Sequence, residues 1–225
     1  MCVAQFEQHG FAIIDSVLNV KECAAIDCAI DPLASQSAGS RNLLLQPWCI
    51  ALARRLRVDN RFSMLLPPDF IAVQCTYFEK AVERNWLVPI HQDLSIPVAE
   101  RIDHPLLSGW SEKEGCWYVQ PPVALLEQLL IVRLHLDPCG AADGALRVVP
   151  GSHLGGRLDI DAVQRQRSQR SEKICCVERG GTLIMRPLLL HASSKATGLS
   201  KRRVLHFVFG PVNLPYGLQW ASVVY

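Results

Sequence analysis

The stretch Phe70-Ile71-Ala72-Val73-Gln74-Cys75-Thr76-Tyr77-Phe78, just after Pro67-Pro68, is where the chain changes from helical to β-rich sequence. Its residues are mainly β-branched, aromatic or otherwise apolar, which are types that strands favour. Four later segments have the same character: 129–136, 145–149, 181–185 and 204–209. Several short strands separated by turns predict a β-sandwich or a jelly roll.

Helical patterns occupy most of the sequence before this stretch. Asn19 can cap a helix over residues 20–30, where apolar residues recur at helical spacing. Pro47 suits the first position of a second helix that continues through Leu56. A short strand is predicted at residues 11–14. The β-rich core therefore follows a helical N-terminal part.

Length and composition favour one folding unit. The chain has 225 residues, of which 49% are apolar, so it can bury a large core. We predict a single domain over residues 1–225, mainly β within the α+β class, with a helical part at about 16–66 and a β core at about 69–212. The nine cysteines have no disulfide or zinc spacing, and we expect them to be reduced thiols.

Charge and hydropathy narrow the choice of partner. The formal net charge is +2, from 23 basic and 21 acidic residues, which is not the electrostatic footprint of a nucleic-acid-binding protein. The sequence has neither a basic leader before an apolar stretch nor a run of about eighteen apolar residues. We therefore expect a cytoplasmic protein with no membrane partner, a monomer or small homo-oligomer that acts on a small-molecule substrate.

The tripeptide His91-Gln92-Asp93 is a candidate pair of metal ligands. Residues two apart on a strand project from the same face, so His91 and Asp93 can reach one ion while Gln92 points elsewhere. His191, between an apolar run and a polar turn, can supply a third ligand. Two imidazoles and one carboxylate form the facial set of non-haem Fe(II) enzymes, which leaves open positions for dioxygen. Taken singly, each residue is explained equally well by a structural role.

Residues after His191 suit an anion site. Arg202 lies eleven positions beyond His191, at the start of a predicted strand. There its guanidinium can bind a dicarboxylate through two parallel charge-assisted hydrogen bonds, and Ser193 can add a hydroxyl. A one-residue change in strand register would replace Arg202 with Arg203, because such a shift reverses the face. The spacing favours Arg202.

The order of these residues resembles the phytanoyl-CoA dioxygenase family of Fe(II)- and 2-oxoglutarate-dependent oxygenases. The resemblance spans about residues 6–210. The matching pieces are Gly10–Asp15, His91-Gln92-Asp93, Gly144–His153 with its Pro150-Gly151 turn, and His191-Ala192-Ser193 followed by Arg202.

This resemblance implies a double-stranded β-helix, a jelly-roll or cupin-like core with helices packed on its outer sheet. The implied Fe(II) ligands are His91, Asp93 and His191, and the implied 2-oxoglutarate ligands are Arg202, assisted by Ser193 and Gln74. The implied reaction consumes O₂ and 2-oxoglutarate, releases succinate and CO₂, and oxidises a C–H bond of the substrate. Halogenating relatives replace the carboxylate with a small residue, so the presence of Asp93 favours hydroxylation.

Some positions depart from the family pattern or carry a weaker signal. Ala196 replaces an asparagine that often follows the distal histidine, and Val132 stands where some relatives have an aromatic residue. Arg41 and Arg133 can anchor anions, but exposed or ion-paired structural arginines are the simpler interpretation. His206 is interpreted as a structural histidine on a strand.

Two other functions remain open from the sequence. The chain can be a non-catalytic jelly roll that binds a metal or ligand, or a cupin-type metalloenzyme that does not use 2-oxoglutarate. Failure to bind iron or 2-oxoglutarate would favour the first. Unchanged activity after Arg202→Ala would favour the second.

Overall fold

The computed structural model describes residues 3–34, 39–198 and 201–225. Its helices are α1 (Val3–His9), α2 (Val20–Ala34), α3 (Pro47–Arg57), α4 (Val123–Leu126) and α5 (Ile160–Gln169). Its strands are β1 (Phe11–Ile14), β2 (Gly39–Ser40), β3 (Phe70–Lys80), β4 (Val88–His91), β5 (Ile96–Val98), β6 (Ser108–Lys113), β7 (Cys116–Gln120), β8 (Leu130–His135), β9 (Leu146–Val148), β10 (Lys173–Cys175), β11 (Thr182–Met185), β12 (His191–Ser193) and β13 (Arg202–Pro211).

Two antiparallel sheets form the core. The larger has the order β1-β11-β8-β13-β3-β2, and the smaller has the order β10-β9-β12-β4. A third sheet, β5-β7-β6, lies at the side. The β6–β7 connection is Glu114-Gly115, and both residues have positive φ, which suits a tight two-residue hairpin. The predicted mainly β jelly roll of the α+β class is confirmed.

The N-terminal helices pack on the outer face of the larger sheet. Asn19 and Glu22 form a reciprocal capping box at the start of α2: Glu22 N donates to Asn19 Oδ1 (3.0 Å), and Asn19 N donates to Glu22 Oε2 (2.7 Å). Helix α3 begins at Pro47, as predicted. Helix α1 was not predicted; it buries only Phe6. No helix in the described parts of the chain is long and apolar enough to cross a membrane.

Alternation along β13 separates two environments. Leu205, Phe207 and Phe209 belong to the cluster that also contains the buried residues of α2 and α3. His206 and Val208 point the other way and line a cavity between the sheets. Because side chains alternate along a strand, Arg202 shares the inner face with His206, and Arg203 takes the outer face.

Candidate metal centre and active site

Strands β4 and β12 bring the three predicted metal ligands together. His91 and His191 are opposite each other in this antiparallel pair, with ring centroids 4.2 Å apart. Asp93 follows β4, and its Oδ1 lies 3.6 Å from His91 Nε2 while its Oδ2 lies 3.7 Å from His191 Nε2. One ligand atom from each residue falls within 4.8 Å of the others. A single ion between them can therefore contact all three.

The backbone fixes the orientation of both imidazoles. In His91 and in His191, Nδ1 donates a hydrogen bond to the carbonyl oxygen two residues earlier in the chain, at 2.8 Å in each case. A donating Nδ1 leaves Nε2 with a free lone pair when the ring is neutral, and Nε2 is the atom that faces Asp93. Such outer hydrogen bonds are the usual way in which proteins orient histidine ligands.

The charge states of Asp93 and His191 favour metal binding. Burial, opposed in part by Asp93, lowers the pKa of His191 to about 4, so this imidazole is neutral at pH 7. Burial alone would raise the pKa of Asp93, but the neighbouring imidazoles of His191 and His91 hold it well below its usual range. A neutral imidazole and an ionised carboxylate are the forms that bind a metal.

Gln92 lies between two of the ligands and points away from them, as the strand pattern predicts. Its Nε2 donates to Leu188 O (2.6 Å) and Gly156 O (2.8 Å), and its Oε1 accepts from Leu158 N (2.9 Å). The amide thus joins the β4 end to two other segments of the chain. These bonds hold the backbone of His91 and Asp93 in place.

A cluster of buried cations lies beside β12. Lys80 Nζ donates to Ser193 Oγ and to Ser194 O, both at 2.6 Å, and Lys80 is 0% exposed. Arg202 is 3% exposed, and its Nη1 donates to Gly144 O and lies 3.5 Å from Ser193 Oγ. Burial, reinforced by Arg202, lowers the pKa of Lys80 to about 8. The predicted residues Ser193 and Arg202 therefore lie together, and Lys80, which was not predicted, joins them.

Arg203 has a different environment from Arg202. Its side chain forms two hydrogen bonds of 2.8 Å with the Asp137 carboxylate and an ion pair of 2.9 Å with Asp27. Both acidic residues lie on the helix side of the larger sheet, so Arg203 is held by the fold. Arg202 has no carboxylate within ion-pair distance among the described residues, and it points into the core between the sheets.

Arg133 and His206, each predicted from the sequence to be structural, form a buried pair. They are neighbours in the β8–β13 pairing, and Arg133 Nη1 lies 2.7 Å from His206 Nδ1. Burial and the charge of Arg133 lower the pKa of His206 to about 3. Burial and the charge of Arg202 lower the pKa of Arg133 to about 10, an effect that Asp93 partly opposes. The inward alternation of 202, 204 and 206 was the signal that could have placed His206 here.

A cavity of about 330 Å³ opens beside the triad. Asp93, His206 and the predicted residue Gln74 line it, and Gln74 Nε2 donates to Thr76 Oγ1 (2.8 Å). The apolar part of its wall comes from Leu94, Ile96, Leu126, Leu129, Ile131 and Val208. Its other polar lining includes Ser95, Lys113, Tyr118 and Gln120. Gln74 thus faces the open cavity, apart from the Arg202 and Ser193 cluster.

Comparison of the sequence with known families adds an independent observation. The profile of the phytanoyl-CoA dioxygenase family matches residues 6–204, which is most of the chain. The chain belongs to the phytanoyl-CoA dioxygenase family. This family depends on Fe(II) and 2-oxoglutarate, with O₂ as the oxidant. No curated protein matches the chain in sequence.

Solved structures share the fold at low sequence identity. AviO1 from Streptomyces viridochromogenes Tue57 is 20% identical with a TM-score of 0.65, and the alignment covers 95% of each chain. EctD from S. alaskensis with bound Fe is 16% identical with a TM-score of 0.67, covering 93% of this chain and 75% of EctD. HygX from Streptomyces hygroscopicus, with nickel and 2-oxoglutarate bound, is 16% identical with a TM-score of 0.61, covering 94% and 87%. The similarity confirms the fold assignment.

The residues of this phytanoyl-CoA dioxygenase family member fit both the metal and the cosubstrate. Two imidazole nitrogens and a carboxylate are a donor set suited to Fe(II). Asp93 Oδ2 and Arg202 Nε are both buried without a hydrogen-bond partner in the described parts of the chain. Buried polar atoms of this kind are rare unless a ligand satisfies them. A metal ion would satisfy the first atom, and a carboxylate would satisfy the second.

Proposed function

We propose that this chain is an Fe(II)- and 2-oxoglutarate-dependent oxygenase that hydroxylates a small molecule and releases succinate and CO₂. The observation that carries the proposal is the approach of His91, Asp93 and His191 to within 4.8 Å, with free Nε2 atoms on both imidazoles. The presence of Asp93 favours hydroxylation over halogenation, because a halide needs the position that the carboxylate takes. We propose that residues 1–225 act as one catalytic unit.

In this proposal the protein binds, orients and shields. Fe(II) and 2-oxoglutarate, when bound, supply the oxidising power through reaction with O₂. Arg202, Lys80 and Ser193 bind the distal carboxylate of 2-oxoglutarate through charge-assisted hydrogen bonds. Burial of this cluster excludes water, which strengthens each of these interactions. Gln74 stands in the open cavity, where it can contact the cosubstrate or the substrate.

The cavity next to Asp93 is the proposed substrate site. Its volume of about 330 Å³ suits a small molecule, and one part of its wall is apolar while the other carries hydroxyl, amide and ammonium groups. Asp93 is the only acidic residue that lines it among the described residues, and this carboxylate is assigned to the metal. We therefore expect a compact substrate with an apolar face and one or more hydrogen-bonding groups.

Anaerobic titration tests the proposal. Fe(II) and 2-oxoglutarate together should give the weak visible charge-transfer band of a chelated 2-oxo acid, and Asp93→Ala or His191→Ala should abolish it. Asp69→Ala is a matched control, because Asp69 is exposed immediately before β3 and should leave the band unchanged. A substrate screen scored by succinate release, with Asp93→Ala as the blank, then identifies the compound.

Two results would refute the proposal in different ways. Absence of the band in the wild-type protein at saturating Fe(II) and 2-oxoglutarate would favour a non-catalytic binding protein. A substrate-dependent oxidation that Arg202→Ala leaves unchanged would favour a metalloenzyme that does not use 2-oxoglutarate.

A further inference from the structure

The pair Arg133 and His206 occupies a place in the core that structural packing does not explain. Both side chains are buried, at 6% and 7% exposure, and both point between the sheets. The Arg133 guanidinium lies over Phe78, with Cζ 5.6 Å from the ring centroid. No carboxylate lies within ion-pair distance of it in the described parts of the chain. A buried cation without a counterion is costly, so its presence calls for an anionic ligand.

The contact with Arg133 determines which nitrogen of His206 carries the proton. A guanidinium has only N–H donors, so at 2.7 Å His206 Nδ1 has to be the acceptor. The proton of the neutral imidazole therefore sits on Nε2. His206 lines the same cavity as Asp93, and Nε2 has no hydrogen-bond partner among the described residues. The pair thus presents an unused donor beside the metal site.

Further unpartnered polar atoms lie on the same side of the core. Arg133 Nε and both ring nitrogens of His135 are buried without partners in the described parts of the chain. The charge of Arg133 interacts with both Arg202 and Asp93, so it acts across the space between the cation cluster and the triad. With Fe(II) bound, the core between the sheets would hold three buried cationic side chains but one carboxylate, that of Asp93, among the described residues. The three cations are Lys80, Arg133 and Arg202. A ligand with two carboxylates reduces this excess of positive charge.

We propose that Arg133 and His206 together bind the carboxylate of 2-oxoglutarate that lies next to the metal, while Arg202 and Lys80 bind the distal one. This inference rests on the proposed function. Arg133 acts as a direct cation and also as the residue that fixes His206 as an Nε2–H donor. The two ends of the cosubstrate then have separate cationic anchors, at Arg133 on β8 and at Arg202 on β13.

Spectroscopy of three arginine variants tests this assignment. Anaerobic Fe(II) protein is titrated with 2-oxoglutarate, and with 2-oxopentanoate, which has a methyl group in place of the distal carboxylate. Arg133→Gln should lower the affinity for both 2-oxo acids by roughly ten- to a hundred-fold. It should also shift the wavelength of the charge-transfer band, because it removes a hydrogen bond from the metal-bound end of the 2-oxo acid. Arg202→Gln should weaken 2-oxoglutarate alone and leave the wavelength unchanged. Arg147→Gln, whose arginine pairs with Glu172 on the other sheet, is the control and should change neither.

Three further measurements separate binding from folding. Arg133→Met should raise the melting temperature of the metal-free protein, since it removes an uncompensated buried cation, whereas an arginine that merely braces the sheet would lower it. His206→Gln, which keeps an N–H donor, should retain more affinity for 2-oxoglutarate than His206→Leu. Nitrogen-15 NMR of the metal-free wild type should find the His206 proton on Nε2.

The possible failures are distinguishable. If the wild type gives the band and Arg133→Gln binds both ligands within two-fold of it at an unchanged wavelength, this inference is wrong and the proposed function stands. If Arg133→Gln weakens 2-oxoglutarate but not 2-oxopentanoate, Arg133 belongs to the distal end and the assignment is wrong. If the wild type gives no band, the proposed function fails, and this inference fails with it.

Discussion

Replacement of Gln92 by glutamate tests whether this amide supports the metal site. The substitution keeps the size and the acceptor for Leu158 N, but it removes both donors, to Leu188 O at 2.6 Å and to Gly156 O at 2.8 Å. Gln92 is buried, at 8% exposure, so the two carbonyls lose their partners and face a carboxylate oxygen. Each buried group left without a partner costs about 1–3 kcal/mol. We expect Gln92→Glu to lower the free energy of unfolding by roughly 2–5 kcal/mol.

Urea unfolding of the metal-free protein measures this effect without contributions from iron. A chain of this length loses about 2–4 °C of melting temperature per kcal/mol, so a thermal scan should fall by on the order of 10 °C. The loss in the free energy of unfolding should be smaller in acid, because protonation of the new carboxyl group restores one hydrogen-bond donor. Gln128→Glu is the matched control, because Gln128 is exposed and its side chain donates one hydrogen bond, to Ala124 O. A Gln92→Glu protein whose stability lies within about 0.5 kcal/mol of wild type would refute the reasoning.

Three further predictions follow from other contacts. Burial lowers the pKa of Lys80 from 10.5 to about 8. Between these two pH values the unfolded chain binds more protons than the folded chain, so the free energy of unfolding should rise with pH. Lys80→Met should lack this rise when urea midpoints at pH 8 and pH 10 are compared. Arg203→Ala should cost roughly 1–3 kcal/mol in urea unfolding, because Asp137 loses two side-chain hydrogen bonds and keeps the Arg179 guanidinium, whose Nη1 lies 3.6 Å from Asp137 Oδ1. The folded fraction should bind 2-oxoglutarate normally, and a large loss of affinity would contradict the outward assignment of Arg203. The Asn85 side chain forms two hydrogen bonds with the backbone of Ala196. Asn85→Ala should therefore speed hydrogen exchange of the Ala196 amide by about ten-fold or more. An unchanged exchange rate would show that this contact does not stabilise the segment.

Local patterns were enough to predict much of this chain. The helix starts at Asn19 and Pro47 depend on capping chemistry within one turn, and both appear where the sequence places them. The β-rich segments are recognisable because residue types that suit a pleated surface cluster between turns. Helix α1 escaped prediction because its seven residues carry one buried side chain and so leave little pattern. The Glu114-Gly115 hairpin lies outside the β-rich segments that the sequence predicts.

The sequence by itself determined the kinds of ligand and their order, since His91 and Asp93 are two apart on one strand face and His191 and Arg202 follow at the family's spacing. Only the tertiary structure decided which residues meet. Arg203 pairs outward and Arg202 points inward, because the inner face of a strand depends on its register with β3 and β8. His206 contacts a guanidinium 73 positions away across that same pairing. Alternation is a local property that sequence records, whereas contact between distant strands follows from how the two sheets pair and pack.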